Sequence, residues 1–428
     1  MSHSTIEFRR RPARLAAASG AVVMLALLGL AAFAPSAHAA DKPAQQISRA
    51  IAKEMTAAQK AMQASQWSEA LKDLDEAEGK SGINAFDKFK IHDFKGFAEF
   101  RLNKYKEAEA DYEAALASGE YSAEEAAKTT KLLFRVTAQN QQYAKALEYG
   151  KQVADSPTVT PDDLSIMAQL YYLQKDCKNT VVWADKAVAG SKKAGEAPKE
   201  NIYQFKLQCA SDAGDTPAMA AALYDLIRLT NKTSYWNTLI RIERQDERDD
   251  HNTLMIYRIM YDTGSMNADT DYIEMAQLLG DASLPGEAEA VLEKAMSSGV
   301  MKDEHKERTT RLLNALKARA DTDKKSLPNL DAEASKNPAG QLDTKLGEVY
   351  FGAGDYQGAV TALNRGIGKG SIKALDEAYV YLGRSQAALK DYPDAKKAFQ
   401  SLKTVPNISA RVLKLYELYA DKVGQPFT

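Results

Sequence analysis

The stretch LGEVYFGAGDYQGAVTAL, residues 346–363, and the stretch LGRSQAALKDYPDAKKAF, residues 382–399, follow one pattern. Leu, Gly, a central Asp-Tyr, Ala and a large apolar residue return at the same offsets, so that Gly347 and Gly383 precede Ala359 and Ala395 by one fixed interval, and these precede Leu363 and Phe399 by another. Glycines tied into such a register serve packing. A phosphate-cradling reading has no need of the echo.

The same register recurs toward the N-terminus. Gly96, Ala108 and Tyr112 fit it in GFAEFRLNKYKEAEADYEAAL; Trp67, Ala70 and Leu74, then Tyr143 and Ala146, then Ala288 and Leu292 give further copies. Weaker copies centre on Thr180, Met219 and Asn252, with a faint one near position 324. About ten units result, and a period of this length is the mark of a stacked repeat array. Each unit predicts two helices, with Ala359, Leu363 and Ile367 forming one apolar stripe of the second. Ala is expected where the helices cross, and Gly347, Gly383 and Gly96 allow the same close approach from the first helix. The glycines of FGAGDY are read as relaxing the interhelical turn.

Leu346-Gly347, Tyr350, Ala359 and Leu363, together with Leu382-Gly383, Ala395 and Phe399 and with Trp236 and Leu239, resemble the tetratricopeptide repeat family. The resemblance covers residues 47 to 407. It implies an all-α, right-handed α-solenoid of about ten helical hairpins closed by a C-terminal capping helix, for which ISARVLKLYELYADKVG is the candidate. The segment DYIEMAQLLGDASLPGEAEAVLEKA is similar to a group of exported bacterial repeat proteins.

Two stretches break the period, AGSKKAGEAPKEN at 189–201 and DTDKKSLPNLDAEASKNPAG at 321–340. Both are rich in Pro, Gly and charge and are read as long inter-helix loops, the second containing a short helix or acting as a hinge. The expected organisation is a leader at 1–39, an array at 40–320, an irregular loop or hinge at 321–340, and a final pair with its cap at 341–428.

The leader is marked by Arg9, Arg10, Arg11 and Arg14, an apolar run from Leu15 to Phe33, and Ala37-His38-Ala39. These are the parts of a secretory signal peptide. An uncleaved anchor is the alternative. Removal of the segment takes four Arg and one Glu from totals of 56 and 58, so the formal net charge moves from −2 to about −5. Neither value gives a reason to expect nucleic acid, whose phosphates reward a basic face. Export without an anchor points to the bacterial periplasm or beyond.

Chemistry-bearing residues are dispersed. His92, His251 and His305 each stand alone, RQDERDDH at 244–251 lacks the ligand spacing and Gly of a calcium loop, and NRGIGKGS at 364–371 follows a helix where a phosphate loop must follow a strand. No catalytic set, metal or cofactor is expected. Cys177 and Cys209 fall in repeat register at neighbouring helix ends, so a disulfide and a pair of buried thiols are both open readings.

The inner face, lined by first helices, is expected to carry Lys131, Arg135, Gln169, Tyr172, Gln208, Arg241 and Gln277, with Phe97, Gln204, Asn237, Arg244, Glu348 and Arg384 beside them. The two arginines would pair with carboxylates and the glutamines with backbone amides of a bound segment. An ordinary hydrated surface is the competing reading. Function is thus expected to be that of a non-catalytic periplasmic scaffold binding protein or peptide segments of an envelope assembly. A membrane-tethered or self-associating structural component is the alternative.

Overall fold

A computed structural model describes residues 46–245, 247–406 and 408–428. The leader expected at 1–39 lies outside the described residues. Among these, regular structure is helical throughout, and no helix is long and apolar enough to cross a membrane. The chain divides between Asp176 and Cys177 into two units, not at 321–340.

The first unit holds α1 (Ala52–Gln63), α2 (Trp67–Glu78), α3 (Ala85–Arg101), α4 (Tyr105–Ala117), α5 (Ala123–Gln139), α6 (Tyr143–Ala154) and α7 (Pro161–Leu173). The pairs α1/α2, α3/α4 and α5/α6 are hairpins, and each second helix packs on the next first helix. The first helices α3, α5 and α7 begin at capping boxes: Asn84 with Asp87, Ser122 with Glu125, and Thr160 with Asp163 reciprocally satisfy otherwise orphaned amides.

The second unit runs through α8 (Cys177–Lys193), α9 (Glu200–Ala213), α10 (Thr216–Thr230), α11 (Thr233–Arg244), α12 (Asp250–Asp262), α13 (Asp269–Asp281), α14 (Pro285–Ser297) and α15 (Asp303–Lys336). It continues with α16 (Gln341–Gly352), α17 (Tyr356–Lys369), α18 (Leu375–Ala388), α19 (Tyr392–Gln400), a short 3₁₀ turn at Ser401–Thr404, and α20 (Ala410–Lys422).

The register seen in the sequence is a contact. A Cβ placed on Gly96 would stand 2.9 Å from the Tyr112 ring, on Gly347 2.5 Å from Leu363, and on Gly383 2.6 Å from Phe399. Ala108, Ala359 and Ala395, each the fourth residue of a second helix, are fully buried at the crossings. In α12 that fourth position is Thr253, which is buried, so the unit is centred one residue beyond Asn252. Two residues before each of eight second helices the backbone is left-handed: Ser65, Asn103, Gln141, Lys175, Gly214, Ser283, Gly354 and Lys390 have φ between 60° and 78°, apart from Asn103 at 59°. Gly354 therefore does serve the turn. Gly352 does not, because its backbone lies against Gly286 of α14.

Two expectations about the breaks in the period need correction. The break at 321–340 is a helix: α15 continues to Lys336 with Pro328 inside it, so the faint repeat near 324 is no hairpin. The missing amide of Pro328 is tolerated because Leu327, Leu330 and Ala334 pack on α16 and α17, while the Ser326 hydroxyl donates to the Asp323 carbonyl in the same turn. At 189–201, α8 reaches Lys193 and α9 starts at Glu200, which leaves a loop half the expected length.

Finally, α20 does more than cap. It packs on α19 and also on α10 and α12, so Leu415, Tyr416, Leu418, Tyr419 and Ala420 are all buried. The Tyr416 hydroxyl donates to the Met255 carbonyl at 3.0 Å, Lys422 Nζ to the Arg228 carbonyl at 2.6 Å, and Tyr419 meets Trp236 edge to face. The end of the second unit thus returns to its early helices.

Candidate functional site

The residues expected to face a ligand fall in both units. In the first, Lys131 and Arg135 sit one turn apart on α5 and converge on one carboxylate: Lys131 Nζ lies 2.6 Å from Asp163 Oδ2 and Arg135 Nη2 lies 2.9 Å from Asp163 Oδ1. Asp163 is the buried capping-box residue of α7, and Thr160 donates to it as well. Burial pushes its carboxyl up, but Lys131, Thr160 and Arg135 outweigh this and hold it below the usual carboxylate range. Two cations against one anion leave a net positive charge. Gln169 is buried on α7 and Tyr172 half-buried at its end. Phe97 is occupied edge to face with Trp67.

In the second unit the same kind of residue clips each first helix to the next. Gln204 on α9 donates to the Tyr235 hydroxyl on α11 at 2.8 Å; Asn237 on α11 donates to the Ser265 carbonyl at 2.7 Å. Arg241 reaches Asn267 at 3.0 Å and Asp271 at 2.9 Å, and Arg244 lies 3.3 Å from Glu274 of α13. Gln208 donates to Asp212 on its own helix, and Gln277 is exposed. Arg135 and Arg241 therefore share one geometry, an arginine on one first helix paired with the third residue of the next.

Glu348 and Arg384 do not line a hydrated face. Arg384 is buried between α12, α14 and α18, with Nε and Nη2 donating to Asp262 at 2.8 and 2.9 Å and Nη1 donating to Glu287. Glu287 also accepts from Arg258 Nη2 at 3.1 Å and from the Tyr381 hydroxyl at 2.5 Å. Arg258 lies 4.5 Å over the Tyr381 ring, completing a cluster that joins helices distant in sequence. The sequence carried no signal for it, since each partner taken alone reads as a surface charge.

Each described histidine lies against acidic side chains: His92 against Asp111 at 2.6 Å, His251 against Asp376 at 2.6 Å and Glu377 at 3.6 Å, and His305 against Asp269 at 2.7 Å and Glu304 at 3.9 Å. Among the described residues no group of three potential metal ligands assembles. Cys177, opening α8, and Cys209, on α9, have their sulfurs 2.19 Å apart.

One concave feature lay beyond sequence reasoning. Where the period fails, α14, α15 and α16 line a partly open cavity of about 370 Å³. Its apolar part comes from Leu284, Pro285, Leu330, Leu342, Leu346 and Val349. Glu348 of α16 lines it from a buried position, with Oε2 accepting from Lys345 at 2.8 Å. Burial holds the Glu348 carboxyl above its ordinary range despite Lys345. The only advance sign was the break in the repeat.

No protein-family model matches the sequence, and no curated protein matches it. Among solved structures it is similar to the C-terminal part of a TPR repeat-containing protein from Cytophaga hutchinsonii (14% identity, 60% of this chain and 93% of that one, TM-score 0.37). It is also similar to a tetratricopeptide repeat protein from Parabacteroides merdae (12% identity, 79% and 100%, TM-score 0.33). A third similar structure is that of Naa15/Naa10 bound to HypK-THB (12% identity, 85% and 64%, TM-score 0.39). Overlaps this loose carry no functional argument. The repeat architecture stands on the glycine, alanine and large-apolar contacts of the hairpins themselves.

Proposed function

We propose that this chain is a non-catalytic protein-interaction scaffold that is exported to the bacterial periplasm and holds segments of an envelope assembly. The observation that carries the binding part is the Lys131, Arg135 and Asp163 cluster. Its surplus positive charge is displayed on adjoining first helices of a pre-formed hairpin array, and it favours an extended acidic segment. A rigid display lowers the ordering cost that binding must overcome. The exported location rests on the leader-like composition of residues 1–39.

Fluorescence anisotropy with a labelled extended peptide of alternating Asp and Leu tests the binding part. Lys131→Gln is expected to weaken it several-fold while leaving Arg135 to neutralise Asp163. Equal affinity for the acidic peptide and its Asn-substituted counterpart removes the reading. Fractionation of the producing cell, with N-terminal sequencing of the mature chain, tests export; retention of Met1 on cytoplasmic material refutes it.

A further inference from the structure

The cavity between α14, α15 and α16 combines an apolar lining with a carboxyl group set deep in its wall. Its remaining charged lining is mostly acidic: Glu287, Glu289 and Glu293 from α14, and Asp321, Asp323 and Glu333 from α15, against Lys324 and Lys345. Acidic residues on a surface are ordinary, and Lys317 already lies 3.6 Å from both Glu289 and Glu293. Glu348 is different. Its side chain is only 4% exposed, its Oε2 is held by a lysine that is itself half-exposed, and no donor among the described residues reaches its Oε1. A carboxylate removed from water gains from each added donor, and the gain is larger for a charged one.

We propose that this cavity is a binding site for an ammonium or guanidinium group carried on an apolar stem, with the stem against Leu342, Leu346 and Val349 and the cation on Glu348. Lys345 occupies that role from the mouth, and its exposed, flexible side chain is displaced by the incoming cation. Long cationic side chains bury their methylenes and keep the charge on a polar partner, which is the division of surface this cavity offers. The site is separate from the basic cluster on α5 and has the opposite charge preference. A protein segment presenting Arg or Lys and a free diamine supply the same chemistry.

Isothermal titration of the full chain at low salt tests the site, using the peptide acetyl-Gly-Leu-Arg-Leu-Gly-amide, its citrulline counterpart and 1,5-diaminopentane. The arginine peptide is expected to bind at least tenfold more tightly than the citrulline peptide. Glu348→Gln is expected to weaken it at least tenfold, whereas Glu69→Gln, an exposed position on α2 of the first unit, leaves it unchanged. Ala290→Trp, which fills the cavity from an exposed position on α14, provides a second variant and is expected to abolish binding. Binding of the diamine alone, with the same sensitivity to Glu348→Gln, assigns the free-amine source, and binding of the peptide assigns the side-chain source; either upholds the site. Absence of binding by both probes, equal affinity for citrulline, or equal affinity in Glu348→Gln overturns it. The acidic-peptide titration on α5 is read independently, so one reading can fail without the other.

Discussion

Gly352 and Gly286 meet backbone to backbone, where the end of α16 crosses the start of α14. A Cβ on Gly352 would stand 2.9 Å from the Gly286 Cα, and one on Gly286 2.9 Å from the Gly352 Cα. Neither neighbour is a side chain that can swing aside. Gly352→Ala is therefore expected to destabilise the second unit by about 1–3 kcal/mol through overpacking. Gly368→Ala, in the open on α17, is the control and is expected to be neutral or to stabilise by up to about 1 kcal/mol. Urea midpoints of the two variants check this; equal midpoints would show that the helices separate without cost.

The left-handed turn positions offer the converse test. Gln141 (φ 60°) and Lys390 (φ 64°) occupy a conformation in which a side chain crowds the following carbonyl. Gln141→Gly and Lys390→Gly are each expected to raise stability by about 0.5–1 kcal/mol, net of the entropy that glycine adds to the unfolded chain. A loss of stability in both, read from thermal unfolding, would mean that those side chains make contacts worth more than the strain.

These turns also mark the limit of what the sequence disclosed. Gly96 with Tyr112 and Gly383 with Phe399 were readable because both partners belong to one hairpin, so their spacing is fixed by helix geometry and repeats. The left-handed positions were not, because Ser, Asn, Gln and Lys fill most of them and only Gly214 and Gly354 carry the usual mark. Pro328 misled in the other direction, since propensity alone argues for a break and only packing against α16 and α17 keeps the helix whole. Arg384, Glu287 and Arg258 were beyond reach: nothing local to α12, α14 or α18 announces that their charges meet. Arg135 and Arg241 were placed on the correct helices, but their carboxylates belong to the chain itself.

The buried cluster sets a strong dependence on Glu287. Burial pushes its carboxyl up, yet Arg258 and Arg384 outweigh this and hold it at about 2. A group with its folded value depressed contributes stability above its unfolded value near 4.5, and that contribution is lost as pH falls toward 2. Glu287→Ala, which leaves two buried guanidinium groups without their shared anion, is expected to cost about 3–5 kcal/mol at neutral pH. A urea midpoint within experimental error of the parent would show that Asp262 and Glu377 suffice for both arginines.

Glu99 has the opposite sign. Burial, followed by hydrogen bonding with and repulsion from Asp111, raises its carboxyl to about 8, and its Oε2 is buried without a partner. The folded chain thus keeps a proton that the unfolded chain releases, so stability is expected to fall as pH rises from about 4.5 to 8 and to level off above. Glu99→Gln keeps the shape without the charge and should flatten that decline by about 1–3 kcal/mol. Parallel slopes for parent and variant between pH 5 and pH 8.5 would assign the proton elsewhere.

Cys177 and Cys209 tie the start of α8 to α9 across a sequence separation of 32. Closing a loop of that length removes entropy from the unfolded chain worth about 3–4 kcal/mol, so dithiothreitol is expected to lower the stability of the second unit by that order. The first unit contains no cysteine among its described residues and should not respond. Limited proteolysis followed by mass mapping separates the two effects. Accelerated cleavage confined to the helices after Asp176, with a joined peptide pair seen only before reduction, is the expected pattern. Two alkylatable thiols in protein taken from an oxidising compartment, with cleavage indifferent to reductant, would show that proximity there is packing and not a bond.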